Sequence, residues 1–169
     1  MAKDKGQSVI GVIFNQEKTK VLLIKRRDIP VWVLPGGGVD AGEEPDEAVI
    51  REVHEETGYE VKINKKLGEY TPLHWLTNYT HLYECTPIGG LPSIGEETAQ
   101  IRFFPLNKLP KNMPEPFPSW IQDAVHFKKF IQRPIAELNN KVVIKFLLKN
   151  PFLISRFLLT RLGFVKPKK

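Results

Sequence analysis

Three glutamates, Glu52, Glu55 and Glu56, stand at a spacing that brings them together if their segment is helical. At about 100° per residue, with Glu52 at the origin, Glu56 falls near 40° and Glu55 near −60°, so the carboxylates share an arc of roughly 100°. Carboxylates held that close repel one another, and without a partner at least one is driven toward protonation. A hard divalent cation such as Mg²⁺ relieves the conflict, because it takes oxygen ligands and keeps positions for water and substrate phosphates. A centre of this kind neutralises phosphate oxygens, polarises phosphorus and acidifies a bound water, which suits chemistry on a diphosphate. A bare EVHEE run is ordinarily solvated surface. The segment around this one is what sets it apart.

The elements that must position these side chains can be read next. Gly36, Gly37, Gly38 and Gly42 form a turn-rich loop entered through Pro35. Pro45 suits the first turn of a helix, and Asp46 and Glu47 complement its positive end. Gly58 fits the position just past the last turn. Val49 and Val53 lie to one side of the glutamate arc and Ile50 further round, so an apolar stripe packs the helix down while the glutamates line its edge. Residues 8–14, 21–27, 31–34, 60–70, 75–86 and 100–104 read as strands, with a Gly/Pro loop over 87–97. Residues 111–118 read as a proline-rich link, and Ser119 as the N-cap of a helix running to about Ile131. Strands around one central helix, with a second helix late in the chain, imply a mixed β-sheet covered on both faces, an α/β (α+β) class.

Written as a pattern, residues 37–59 read G-x5-E-x7-R-E-U-x-E-E-x-G-U, where U is bulky and apolar. Gly37, Glu43, Arg51, Glu52, Glu55, Glu56 and Gly58 fill the fixed positions, and Val53 and Tyr59 the apolar ones. At average composition the fixed positions alone arise by chance about once in 10⁹ starting residues. The pattern resembles the signature box of the Nudix hydrolases, and the resemblance extends over roughly residues 8–125. It implies an α/β/α sandwich with a mixed sheet and hydrolysis of a diphosphate bond in a nucleoside diphosphate linked to another group, such as ADP-ribose, a nucleotide sugar or a dinucleotide. It implies Mg²⁺ (or Mn²⁺) held by Glu52, Glu55 and Glu56, with the Gly36 carbonyl as a further ligand. Glu43 and Arg51 match structural positions, where an ion pair ties the loop to the helix and orients the ligand carboxylates. The proton of the attacking water would go to Glu55, or to Glu97 on the late acidic loop. Asp40 departs from the glutamate many members carry in the turn. A nucleotide-binding regulatory module is the alternative from another class.

At 169 residues the chain has room for one domain and an appendage, expected at 1–135 and 136–169. Hydrophobic content of 41% and charged content of 26% are those of an ordinary globular protein. The single cysteine, Cys85, rules out an internal disulfide and reads as an inert buried thiol on a strand in a reducing compartment. The first residues carry no apolar signal core, so a cytoplasmic location is expected.

On the substrate side, Arg26 and Arg27 end a strand that should approach the box, where either could meet phosphate oxygens. His74, Trp75 and Tyr79 could stack on a base, although core packing is the expected role of Trp75. His54, at the variable position of the box, should face solvent. The net charge of +6 is unevenly spread: residues 136–169 hold eight basic residues and one acid, and the remainder nets −1. The segment 136–164 reads as two amphipathic helices broken at Asn150–Pro151, with Ile144, Leu147 and Leu148 on the first and Ile154, Phe157, Leu158 and Leu162 on the second. Docking on the domain or on a second copy, as a homodimer, is the expected use of such faces. An anionic membrane surface and a nucleic acid are the alternatives.

Overall fold

Val, Ile and Leu at successive positions make the first two strands buried on both faces, β1 (Gln7–Ile13) and β2 (Lys20–Arg26). The Asn15 side chain turns the chain between them by accepting the Thr19 and Lys20 amides at 2.8 and 2.7 Å. The two strands then part into different sheets. In the computed structural model, which describes residues 6–149, β4 (Gly36–Gly38), β1, β6 (Tyr79–Gly90), β5 (Tyr59–Thr71) and β8 (Ile131–Pro134) form a five-stranded sheet in that order. Within it β1 runs parallel to β6 and β5 parallel to β8, and the other pairs are antiparallel, so the sheet is mixed. The second sheet is antiparallel and three-stranded, ordered β3 (Trp32–Val33), β2, β7 (Thr98–Pro105).

The layers follow from alternation along β1. Val9 and Ile13 join a cluster with Ala48, Val49 and Val53 of α1 (Pro45–Thr57). Ile10 and Val12 face the opposite way, into a larger cluster with Trp120 and Ile121 of α2 (Phe117–Val125). Helices therefore cover opposite faces of the mixed sheet, the expected sandwich. Each fully buried Val or Leu in these layers is stabilised by roughly 1.5–3 kcal/mol relative to exposure. Cys85 is buried on β6, and desolvation pushes its thiol up to about 12, so the thiol stays protonated and inert.

Three elements differ from the sequence reading. The helix expected from Ser119 to about Ile131 starts earlier, after Pro116, and stops at Val125; Ile131 instead opens β8. Pairing with the Gly68–Thr71 edge of β5, with Ile135 buried behind it, satisfies a strand edge that a longer helix would leave bare. The strand expected at 75–86 starts at Tyr79 and runs on to Gly90, because Pro87 and the two glycines still pair with β5, at Val61, Glu60 and Tyr59. The residues before it form a turn in which the Thr77 amide and hydroxyl both donate to the His74 carbonyl. That turn carries Trp75 out of the core, to 67% exposure. At the other end, α3 (Asn140–Lys149) is helical as expected, though it begins four residues later than 136. The Asn139 side chain accepts the Val142 amide at its start. The second expected tail helix lies outside the described residues.

Candidate active site

Local chemistry sets α1 in place before any catalytic group is considered. The Glu47 carboxylate reaches back to the Glu44 amide at 3.4 Å, and Pro45 occupies the first turn. Gly58 ends the helix at φ 73°, donating its amide to the His54 carbonyl at 2.7 Å. Between these caps Val49 and Val53 are buried and His54 faces solvent.

The edge of α1 meets β4. Glu56 is 7% exposed, and its Oε2 accepts the Gly36 amide at 2.8 Å. Burial, with Glu52 and Glu97 adding repulsion against that hydrogen bond and the Arg26 charge, pushes the Glu56 carboxyl up to about 8. Glu52 lies directly beneath Gly37: a Cβ there would fall 2.4 Å from its carboxylate, so any larger residue would displace the Glu52 tip. Burial raises the Glu52 carboxyl too, opposed by Arg51 and reinforced by Glu55 and Glu97. Glu55 points outward, its side chain 57% exposed. The common arc expected for the three is thus divided between inward, intermediate and outward positions.

Arg51 binds this edge together. Its Nε and Nη2 donate to the two Glu43 oxygens, both at 2.8 Å, and Nη2 also donates to the Gly38 carbonyl at 3.0 Å. Its Nη1 donates to Glu52 at 2.9 Å and to Glu55 at 3.5 Å. The fork on Glu43, with the Asp40 amide, holds that carboxyl down at about 2. Glu43 and Arg51 therefore join loop to helix. The Nη1 contact to Glu52 is the kind of carboxylate orientation expected of Arg51.

The far wall comes from the end of β2 and the loop before β7. Arg26 forks onto Asp28 at 2.9 and 2.8 Å and lies 3.6 Å from Glu97. Arg26 thereby joins Asp28 and Glu97 into one charged cluster at the end of β2, and its charge helps to hold the Glu56 carboxyl down while that of Glu97 raises it. Arg27 does not join them. Its Nε and Nη2 donate to the carbonyls of Glu96 and Thr98 at 2.9 and 2.8 Å, and its amide to the Glu97 carbonyl at 2.8 Å. Its guanidinium is spent on holding the acidic loop, which reorients the expectation that it meets substrate. Asp28, which orients Arg26, was missed. Its signal was the acid two residues beyond the arginine at a strand end.

Among the described residues no three His, Cys, Asp or Glu side chains already converge around an ion position. The donor set still fits a hard cation. It is all oxygen, two of its carboxylates are drawn from water beside backbone, and the third is exposed.

A family model described as NUDIX domain matches residues 4–124. The chain belongs to the NUDIX family. The matched stretch contains β1 to β7 and most of α2, and it ends before β8 and α3. Over 100 residues the chain is 40% identical to a protein of Bacillus subtilis (strain 168) provisionally named an 8-oxo-dGTP diphosphatase, a match covering 59% of this chain and 66% of that one. It is 38% identical over 112 residues to an ADP-ribose pyrophosphatase of Methanocaldococcus jannaschii, covering 62% and 64% of the two chains. The chain thus spans just under two thirds of these relatives' lengths. Among solved structures, a NUDIX hydrolase of Nitrosomonas europaea shares the fold at a TM-score of 0.66 and 20% identity, with 78% of each chain covered. In this NUDIX chain the box runs from the β4 glycines through α1 to the first residue of β5.

Proposed function

We propose that this NUDIX chain hydrolyses a diphosphate bond in a nucleoside diphosphate joined to another group, and that residues 1–135 carry the reaction. The observation that supports this reading most is the buried Glu56 carboxylate accepting the Gly36 amide at 2.8 Å, with the Glu52 carboxylate beneath Gly37 on the same helix edge. Glu52, Glu55, Glu56 and the Gly36 carbonyl would hold Mg²⁺ or Mn²⁺. The bound ion would supply charge neutralisation at the diphosphate and acidify the attacking water.

The chain's own residues then divide the remaining work. Arg51, clamped by Glu43, fixes the Glu52 carboxylate from the side. Arg26, aligned by Asp28, offers a fixed guanidinium to phosphate oxygens. Glu55 and Glu97 are the exposed carboxylates of the site, at 57% and 71% side-chain exposure, and either can take the proton of the attacking water. The names of the relatives support a nucleotide substrate, ADP-ribose or an oxidised nucleoside triphosphate among the choices.

Glu56→Gln keeps the size and the Gly36 hydrogen bond but can no longer ionise to hold a cation. It is expected to lower turnover by at least about 100-fold with the fold intact by circular dichroism. The measurement is a Mg²⁺-supplemented substrate panel with products identified by mass spectrometry. Undiminished turnover in the variant rejects the assignment.

A further inference from the structure

The exposed face of α3 has an unusual make-up. Lys141, Ile144, Lys145 and Leu148 are among its exposed positions, and their spacing of three, four and seven puts them on one side of the helix. Ile144 is 56% exposed and Leu148 72%, so neither is packed on the domain. No acid interrupts the stripe. The first residue of α3 is tied to the turn before β6, where His74 Nε2 and Asn140 Oδ1 lie 2.7 Å apart. That turn exposes Leu73 (64%) and Trp75 (67%), so a second apolar group stands beside the start of the basic helix.

We propose that this face, α3 together with the Leu73–Leu76 turn, lies on an anionic lipid surface. Residues 136–169 carry eight basic residues and one acid, whereas residues 1–135 net −1, so the positive charge is gathered on the segment that also exposes apolar side chains. That pairing is what a helix in the interfacial plane needs: Leu and Ile enter the acyl boundary while lysines meet the headgroups. Tryptophan, apolar with one polar N–H, favours the same depth. A second copy would bring two strongly basic segments together. A nucleic acid would use the lysines but leave Ile144 and Leu148 in water. No helix among the described residues is long and apolar enough to cross a membrane, so the attachment is to the surface.

The chain contains its own probe. Trp32 and Trp120 are buried at 8% and 4%, so a change in tryptophan emission on adding vesicles reports Trp75. Full-length protein mixed with phosphatidylserine–phosphatidylcholine vesicles should cosediment and shift its emission to the blue, and phosphatidylcholine alone should do neither. Trp75→Phe should abolish the shift and keep most of the cosedimentation. Lys141→Glu with Lys145→Glu should weaken cosedimentation by at least about 25-fold, at about fivefold per lysine, without changing hydrolysis of a soluble substrate. Equal binding to both vesicle types, or none to either, overturns the proposal. So does a blue shift that grows with protein concentration in vesicle-free buffer as the mass doubles, which assigns the face to a second copy. A shift on adding a homopolymeric RNA but not vesicles also overturns it.

Discussion

At Arg51 one guanidinium serves four carboxylates. It forks onto Glu43, donates to Glu52 and Glu55, and stands 3.8 Å from Asp40. Its position is set by geometry that a point charge cannot reproduce, since the planar fork matches both Glu43 oxygens while a third nitrogen reaches Glu52. Arg51→Lys keeps the charge and loses the fork, so the loop–helix tie and the Glu52 orientation are lost together. On the proposed reading, in which Arg51 positions the Glu52 carboxylate, the expected outcome is a kcat lower by about 10–100-fold with KM little changed. Steady-state kinetics on the substrate found by the panel checks this, and a change confined to KM would place Arg51 in substrate contact. Glu43, held near pKa 2, stays ionised throughout any practical assay range, so the tie itself contributes no pH dependence near neutrality.

The helix α1 is held by its caps and by one apolar face, and its far cap offers the cleaner test. Gly58 sits at φ 73°, and a Cβ there would meet Ser93 Oγ at 2.2 Å and the Leu91 carbonyl at 2.4 Å. Gly58→Ala is therefore expected to destabilise by at least about 1–2 kcal/mol from the left-handed backbone alone, read as a lower urea midpoint. This cap was legible in the chain, as were the glycine turn, Pro45, the glutamate edge and the Glu43–Arg51 tie, because each depends on positions a few residues apart. What was not legible depended on long-range partners. Nothing near Ile131 announces that the edge of β5 awaits a strand, and nothing near Trp75 announces that β6 begins only at Tyr79. Arg26 and Arg27 look alike in sequence, and only the approach of the Glu96–Thr98 backbone separates one from the other. The division of Glu52, Glu55 and Glu56 among three environments has the same origin. Helical rotation gave their common arc, but β4 decides which of them is covered.

Across the whole molecule, charge is segregated twice: the basic segment against a near-neutral domain, and carboxylates drawn into the mixed sheet against lysines. Glu84 is 4% exposed between Lys18 and Lys65, at 2.7 and 3.3 Å. Glu69 joins β5 to β6 by accepting from Lys66 at 2.7 Å and from the Tyr79 hydroxyl, with His81 Nδ1 at 3.5 Å. Burial alone would raise the Glu69 carboxyl, but Lys66 and Tyr79 hold it down at about 2, against an ordinary 4.5. A carboxyl whose folded value lies below its unfolded one stabilises the fold fully above the unfolded value, and that contribution drains away as pH falls toward the folded one. The Glu69 contribution, up to about 3 kcal/mol, should thus be complete at pH 6 and largely lost between pH 4.5 and 2. His81, whose burial lowers its affinity for a proton, acts in the same direction at higher pH. Glu69→Gln separates the two: the variant should be less stable than the parent at pH 7 and should converge on it in acid. Urea unfolding from pH 7 to 2.5 measures that gap. A gap that stays constant down to the lowest pH would show that Glu69 acts there by packing, with its charge contributing nothing.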